Sequence, residues 1–302
     1  MEKLGLPVAF ILTAAIYLNQ IGATEPQEMD AVEFFSGVAT WSDSLRNKGY
    51  RVYSYEIAND SVHCDFLGDA GFLNALGLLF RCKVAAILHF ATVCSSWVTI
   101  NRHTSGRSAM VPLGRQGRPY VAAANTMVSR MCMLIMIGAC LGLDWVLEQP
   151  ISSVMKYHPR MQVILNMAEI GCLRVVNEIH TWMGSFGASS PKPTMLIGTP
   201  SFLPRLHRKL AKRTFENQET SRTYEDKHGK KRFSGGKRLK ETQQYPKGYG
   251  SAFAKLMEHA DIDDMCIDDD MLEEASEWVV AGSECWADAS LGGIWKIIRR
   301  FK

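Results

Sequence analysis

The sequence has no closely spaced pair of cysteines. Its 302 residues include eight cysteines but no CxxC motif and no cysteine–histidine cluster at zinc-ligand spacing. Structural zinc sites and disulfide-stapled domains depend on such spacings, so we expect neither a disulfide framework nor a metal ion. We interpret most of the cysteines as core thiols in a reducing compartment, where a catalytic thiol would also stay usable. They are Cys64, Cys82, Cys94, Cys132, Cys140, Cys172, Cys266 and Cys285.

Positive charge is missing from residues 256–290, which hold twelve Asp or Glu and no Lys or Arg. Residues 205–240 show the opposite bias, with thirteen Lys or Arg against four acids. The net charge of +3 conceals this asymmetry. There is no internal repeat, which excludes repeat architectures. The remaining chain is apolar enough and long enough to form a large core.

An apolar run covers residues 4–18 (LGLPVAFILTAAIYL), directly after Lys3. Together with the small residues Gly22 and Ala23, this run is typical of a signal peptide. It is shorter than the roughly 20 residues that a membrane-spanning helix needs. A hydrophobic first helix packed on the domain fits the same residues equally well. Both interpretations stay open, and the first would place the protein in the secretory pathway.

From residue 31 the pattern alternates between strands and helices. This alternation is typical of a doubly wound sheet, so we predict a Rossmann-like α/β fold with a mostly parallel sheet and helices on both faces. The predicted strands cover residues 31–37, 51–57, 85–91, 145–150, 172–176 and 194–199. The predicted helices cover residues 38–48, 69–80, 121–141, 160–168 and 249–259.

Changes in composition divide the chain into five parts. The predicted parts are a hydrophobic segment (1–30), an α/β domain (31–200), a basic flexible segment (201–245), a returning helix (246–260) and an acidic, then basic appendage (261–302).

Cys94 follows the apolar run 85–91, which has the length and composition of a central parallel strand. Ligands of open α/β sheets bind beyond the carboxyl ends of such strands, so Cys94 is a candidate nucleophile. Free cysteines are also among the most often buried residues, and structural packing is the alternative interpretation.

Glu148 lies at the end of the predicted strand WVLEQP. A buried acid at a strand end is costly without a partner, which makes Glu148 a candidate site residue. The alternative is a structural acid that caps the next helix or pairs with Arg102 or Arg107.

A turn of small residues ends the first predicted strand, and an acid ends the second. Phe35, Ser36 and Gly37 form the turn, and Glu56 follows about twenty residues later. Such a turn lets a cofactor approach the backbone, and an acid at this offset can bind the hydroxyls of a ribose.

The order of these segments resembles that of the C5 cytosine methyltransferases. It runs FFSGVAT, YEI, CDF, TVCSSW, LEQP, KPTMLIGT and GYGSAFAKLM over about residues 31–257. The variants VCSSW and LEQP are most similar to those of divergent protist and algal members. The resemblance implies the fold of S-adenosylmethionine-dependent methyltransferases, with S-adenosylmethionine held by Phe35, Ser36, Gly37, Glu56 and Asp65.

The resemblance also implies a reaction, the transfer of a methyl group to C5 of cytosine. Cys94 would add to C6 of the base as a covalent nucleophile, and Glu148 would bind the ring N3 and the exocyclic amine. Arg102, Arg107 and Lys192 would contact nucleic acid. The partner would be DNA, or else RNA, and an enzyme acting on DNA would be expected in the nucleus.

The sequence departs from the family motifs at several positions. Val93 replaces the proline before the nucleophile, Ala39 replaces a glycine of the turn, and Gln149 replaces an asparagine. Lys192 and Thr194 stand where two arginines are expected. A second hypothesis is therefore an inactive methyltransferase-like module that binds nucleic acid.

The basic segment 205–240 lies where the resemblance places target recognition. Such a segment gains affinity by releasing counterions from phosphates, and Phe215, Tyr224 and Phe233 could stack on bases. A solvated connector is the alternative interpretation.

Overall fold

The structure is a computed structural model, and six of its strands form one sheet. It describes residues 26–169, 171, 173–210, 221–225, 227–229, 231–235 and 243–259. The amino-terminal run 4–18 and the appendage 261–302 lie outside these residues. The strands are β1 (Met29–Phe34), β2 (Val52–Tyr55), β3 (Cys82–Phe90), β4 (Asp144–Pro150), β5 (Asn177–Trp182) and β6 (Pro193–Gly198).

The strand order of this sheet is β2-β1-β3-β4-β6-β5. Neighbouring strands from β2 to β4 pair in parallel, whereas β6 is antiparallel to both β4 and β5. The chain passes from β1 to β2 on one side and then crosses to β3 on the other side of β1. The carboxyl ends of β1 and β3 therefore flank a topological switch point, where ligands of open α/β sheets bind.

Helices cover both faces of the sheet. They are α1 (Thr40–Arg46), α2 (Asp69–Phe80), α3 (Arg102–Ser105), α4 (Pro119–Cys140), α5 (Pro159–Glu169) and α6 (Lys247–Met257). On one face, α2, α4 and α5 pack on alternate strand residues that include Phe34, Leu88 and Leu147. On the other face, α1 and α6 pack on Ala31, Ile87 and their neighbours. The α/β class, the mostly parallel sheet and the helices on both faces are thus confirmed.

Helix α4 is long and apolar enough to cross a membrane by length and composition alone. Most of its residues are buried, and they belong to the same core cluster as residues of β1, β3 and β4. In this structure α4 is a core helix of the domain.

One predicted strand is wrong. Residues 173–176 are irregular and Val175 is 73% exposed, while the strand β5 begins at Asn177. The sequence 177–182 alternates exposed polar residues with more buried ones, as is typical of a strand at the edge of a sheet. A search for continuous apolar runs misses such a strand.

Part of the basic segment 205–240 forms a hairpin that was not predicted from the sequence. Residues Ser221–Glu225 (β7) and Lys231–Gly235 (β8) pair as an antiparallel hairpin. Threonine and aromatic residues favour strands, and Gly229 adopts φ +70° in the connection. Tyr224 is exposed, whereas Phe215 lies outside the described residues.

Gly198 is required by the close pairing of β4 and β6. A Cβ atom at this position would collide with the carbonyl oxygen of Trp145 and crowd Val146. We expect Gly198→Ala to lower the free energy of unfolding by about 1–3 kcal/mol, because backbone atoms cannot yield cheaply. Urea denaturation measures the loss, and Gly117→Ala is the control because open space surrounds Gly117. Equal stability of the two variants would contradict this packing.

Glu33 of β1 is buried, and its carboxylate accepts hydrogen bonds from the backbone N–H and the hydroxyl of Ser42. Burial raises the pKa of Glu33 from 4.5 to about 7, against the opposing effect of the Ser42 bonds. Between pH 4.5 and about pH 7, Glu33 keeps its proton in the folded protein and releases it in the unfolded chain. Stability from this group is therefore lost as pH rises.

We expect Glu33→Gln to remove this loss. From pH 4.5 to pH 8, the free energy of unfolding of the variant should gain about 3 kcal/mol relative to the natural protein. Buried His89, whose pKa burial lowers to about 3, is present in both proteins and cancels in the comparison. Urea denaturation across this pH range measures the difference, with exposed Glu225→Gln as control. Parallel pH profiles of the natural protein and Glu33→Gln would contradict the prediction.

Candidate active site

The predicted cofactor residues meet beyond the ends of β1 and β2. The backbone N–H of Phe35 donates to the Tyr55 carbonyl at 2.9 Å, and that of Gly37 donates to the Glu56 carboxylate at 2.8 Å. Gly37 adopts φ +55°, which favours glycine. Phe35 and Ala39 hold positive φ values without being glycines, and such strain concentrates at functional sites.

The loop that carries Asp65 joins this group. The ring centroids of Phe35 and Phe66 lie 4.9 Å apart. Arg130 of α4 donates to the carbonyls of Phe66 and Gly68 at 3.0 Å each, and these bonds hold the loop against α4. The structure thus brings Phe35, Ser36, Gly37, Glu56 and Asp65 together on three adjacent loops.

Ser36 has a buried hydroxyl with no hydrogen-bond partner among the described residues. A buried polar atom normally has a partner. The unpaired hydroxyl lies on the same turn as Gly37, whose N–H binds the half-buried Glu56 carboxylate. The turn therefore offers one free donor or acceptor and a carboxylate to a polar ligand.

Cys94 lies on the loop after β3 and is partly exposed. Its carbonyl accepts hydrogen bonds from the N–H groups of Trp97 at 2.8 Å and Val98 at 3.2 Å. These bonds close a tight turn that holds the thiol at the carboxyl end of the sheet.

The side chain of Gln149 attaches this loop to β4. It is fully buried, donates to the Thr92 carbonyl at 2.6 Å and accepts from the Ser153 hydroxyl at 3.0 Å. The Trp97 carbonyl accepts a further bond from the N–H of Val154. Gln149 was identified from the sequence only as a departure from the family motif, and the structure shows what it contacts.

Glu148 is 6% exposed and pairs with Lys192. The Lys192 Nζ lies 3.4 Å from the Glu148 Oε1. The alternative partners Arg102 and Arg107 are therefore wrong. Lys192 directly precedes β6, which pairs antiparallel with β4, and this pairing brings Lys192 beside Glu148.

Lys192 has an unusual backbone conformation. Its φ is +36°, and it lies between Pro191 and Pro193. The residue before a proline normally adopts an extended conformation. The Lys192 carbonyl accepts from the N–H of Met183 at 3.1 Å, which helps to hold this strained turn.

The electrostatics of Cys94 place it in the same cluster as Glu148 and Lys192. Burial raises the pKa of the Cys94 thiol, the charge of Glu148 raises it further, and the Lys192 ammonium opposes both. The thiol is thus protonated near neutral pH, and neutralising Glu148 would make it more acidic.

The structure separates the three basic residues predicted to contact nucleic acid. Arg102 is exposed at the start of α3 and is available for such a contact. Lys192 is half-buried against Glu148, so its first partner is that carboxylate.

The prediction for Arg107 is wrong, because this residue is only 2% exposed. Its guanidinium lies 3.4 Å from the centre of the Trp97 ring and donates to the Asn125 side chain at 2.7 Å and to the Val121 carbonyl at 3.1 Å. Burial lowers its pKa to about 10. Arg107 therefore supports the Cys94 loop from inside, and sequence alone does not distinguish this from an exposed position.

Three aromatic and imidazole side chains lie beneath the Glu148–Lys192 pair and were not predicted as site residues. The His89 Nε2 lies 3.2 Å from the Tyr249 hydroxyl. The rings of Tyr245 and Tyr249 lie 5.1 Å apart. The one sequence signal for this cluster was His89, a histidine inside the otherwise apolar run 85–91.

Among the residues that the structure describes, no group of three or more His, Cys, Asp or Glu side chains could hold a metal ion. Neither the scan against protein-family models nor the search of curated proteins finds a match for this chain.

Proposed function

We propose that this protein transfers a methyl group from S-adenosylmethionine to C5 of cytosine in DNA. The observation that carries the proposal is the convergence of Cys94, Glu148 and Lys192 at the carboxyl edge of the sheet. These residues neighbour the switch point between β1 and β3, on whose other side lies the turn 35–37. The finer assignment of the α/β domain as a methyltransferase fold belongs to the same proposal.

The residues of the turn fit the methyl donor. Glu56 would bind the ribose hydroxyls, as acids after the second strand do in related nucleotide sites, and Asp65 would lie near the adenine. The unpaired Ser36 hydroxyl would take a polar group of the ligand. Gly37 lets the ligand approach the backbone, because the space that a Cβ atom would occupy at this position is open. When bound, S-adenosylmethionine supplies an electrophilic methyl group.

Cys94 and Glu148 would carry the chemistry on the base. The thiolate of Cys94 would form a bond to C6 of the cytosine, and the electrons of the C5–C6 double bond would move to C5. C5 would then accept the methyl group as the S–CH3 bond of the sulfonium breaks and the donor leaves as a neutral thioether. Glu148 binds N3 and the exocyclic amine and stabilises the charge that develops there. A water molecule acting as base would then take the C5 proton, the C5–C6 double bond would re-form, and the C6–S bond would break to regenerate the thiolate.

The position of Cys94 requires an unpaired base. C6 of cytosine is not accessible within a stacked duplex, so the base would be flipped out or already single-stranded. Arg102 is exposed on α3, shortly after the Cys94 loop, and could hold a neighbouring phosphate.

We expect Glu56→Gln to weaken S-adenosylmethionine binding by about 10- to 100-fold, because an amide replaces a charged hydrogen-bond acceptor. The amide oxygen can still accept from Gly37, so the turn itself should persist. Isothermal titration calorimetry measures the affinity, with exposed Glu225→Gln as the control. Unchanged affinity of Glu56→Gln would contradict the assignment of the cofactor site.

The protonated state of the Cys94 thiol favours a second candidate, an inactive module that binds nucleic acid. Burial and Glu148 both disfavour the thiolate that a nucleophile needs. This candidate predicts no transfer of tritium from labelled S-adenosylmethionine to cytosine, and nucleic-acid binding that Cys94→Ala leaves intact. Its binding should weaken steeply between low and moderate salt, because counterion release would drive it.

A further inference from the structure

Positive charge is not offset on the part of the chain that follows Cys94. Residues 70–143 contain no Asp or Glu. Arg102, Arg115 and Arg118 are exposed, and none of them pairs with a carboxylate among the residues that the structure describes. These arginines therefore keep their full charge for a negatively charged ligand.

Arg115 is held against α3, the helix that begins at Arg102. Its guanidinium donates to the His103 carbonyl at 3.0 Å, and its N–H donates to the Ser105 carbonyl at 2.8 Å. Gly106, with φ +69°, leaves room for the Arg115 side chain, because a Cβ atom there would lie 2.6 Å from the Arg115 Cγ. The fold thus brings the charge of Arg115 next to the residue that follows Arg102.

Large apolar side chains are exposed among these arginines. They are Ile100, Met110, Val111 and Tyr120, and Met110 is 90% exposed. Single exposed apolar residues are normal on a protein surface, but these four share the segment 100–120 with the three exposed arginines. We call these seven residues the loop surface.

The turn that presents Met110 is fixed by hydrogen bonds. The N–H of Ser108 donates to the Val111 carbonyl, and the N–H of Val111 donates to the Ser108 carbonyl, at 3.2 Å each. The buried Arg107 donates to the Pro112 carbonyl, directly beyond this turn. A turn that is already ordered loses little conformational freedom when its side chains contact a ligand.

The loop surface is joined to the loop that carries Cys94. The Asn101 side chain donates to the Ser95 carbonyl. The guanidinium of Arg107 lies over the Trp97 ring at 3.4 Å from its centre. A ligand on the loop surface would therefore lie next to the Cys94 loop.

We propose that the loop surface binds a single strand of nucleic acid, with phosphates on the arginines and unpaired bases against the apolar side chains. A duplex offers its phosphates but keeps the faces of its bases stacked inside, whereas an unpaired strand exposes them. Exposed arginines mixed with exposed apolar side chains therefore match the single strand. This inference rests on the proposed function and names its substrate class, cytosine in an unpaired strand, which needs no flipping out of a duplex.

Fluorescence anisotropy with the full chain tests the proposal. A labelled cytosine-containing DNA oligonucleotide would be titrated as a single strand and after annealing to its complement, at the same salt concentration. We expect the single strand to bind at least about 10-fold more tightly, the gain from about one stacked base. Equal or tighter binding of the duplex would overturn the proposal, as would binding of anionic lipid vesicles without binding of either oligonucleotide.

Two substitutions separate the contributions of charge and of apolar contact. Arg115→Gln should weaken single-strand binding and reduce the slope of log affinity against log salt concentration by about 0.7, the value for one phosphate on a single strand. Met110→Ser should weaken single-strand binding by about 3- to 10-fold and leave this slope unchanged, because it removes apolar contact but no charge.

Arg51→Gln and Val84→Ser are the matched controls. Both residues are exposed, and they lie at the amino ends of β2 and β3, on the edge of the sheet opposite Cys94. Loop-surface variants that bind the single strand as tightly as these controls would overturn the proposal, because the strand would then bind elsewhere.

Tritium transfer from labelled S-adenosylmethionine to the two forms of the oligonucleotide separates this inference from the proposed function. We expect transfer to the single strand. Transfer to the duplex alone would support the proposed function and overturn this inference. No transfer to either form would refute the proposed function, while the binding series would still decide what the loop surface binds.

Discussion

Replacing Glu148 with glutamine is expected to lower methyl-transfer kcat by about 100- to 1,000-fold, the range for loss of one preorganised charge-stabilising group. The same change should make the Cys94 thiol more acidic, because the charge of Glu148 raises its pKa. Turnover and thiol reactivity therefore move in opposite directions. A role for Glu148 in packing alone would not predict this divergence.

Two measurements on one preparation check this prediction. Tritium transfer to cytosine gives kcat, and the pH dependence of iodoacetamide alkylation gives the acidity of Cys94. Glu178→Gln is the control, because Glu178 is an exposed residue of β5 that pairs with Lys156 at 2.7 Å. An alkylation midpoint that stays at the value of the natural protein would show that Glu148 does not act on Cys94.

Cys94→Ala is expected to reduce methyl transfer by at least about 1,000-fold, because the covalent route is lost with the nucleophile. The fold should persist, since Cys94 is partly exposed and the loop is held by Gln149 and backbone bonds. Cys140→Ala is the control, because Cys140 is an exposed cysteine at the end of α4 and is not one of the candidate site residues. The stability and S-adenosylmethionine affinity of Cys94→Ala should equal those of the natural protein.

A retained activity above about one tenth of the natural rate in Cys94→Ala would exclude the covalent mechanism. Loss of activity together with loss of cofactor binding would instead show that the substitution damages the domain. The two results are separated by calorimetry on the same variant.

The convergence of Cys94 and Glu148 could be predicted from the sequence because it follows from strand direction. Both residues lie at the carboxyl ends of strands that the apolar runs 85–91 and 145–150 identify, and parallel strands share that edge. The meeting of Gly37 with Glu56 follows for the same reason. Local apolar patterns identify each strand separately. Because parallel strands end at the same edge of the sheet, the residues that follow them lie close together.

The partner of Glu148 could not be predicted, because it depends on the direction of a strand. β6 runs antiparallel to β4, and this brings Lys192, which precedes β6, next to Glu148 near the end of β4. No local pattern in the sequence distinguishes this direction from the parallel one. The positive φ of Lys192 could not be predicted either, because the proline that follows it favours the extended form.

The burial of Arg107 is a second limit of sequence reasoning. An arginine in a polar loop is normally exposed, but Arg107 lies over Trp97 and donates to the Asn125 side chain and the Val121 carbonyl. These contacts join the loop to α4 across 14 and 18 residues of sequence, beyond the reach of a local pattern. Only the folded arrangement shows that this arginine supports the loop and does not face a ligand.

Covalent trapping tests the central claim most directly. The purified protein and its Cys94→Ala variant would be incubated with S-adenosylmethionine and DNA that contains 5-fluorocytosine, in which fluorine blocks the loss of the C5 substituent. We predict an adduct that survives denaturation with the natural protein and is absent with the variant. No adduct on this DNA or on an RNA counterpart, with S-adenosylmethionine demonstrably bound, would contradict the proposed methyl transfer.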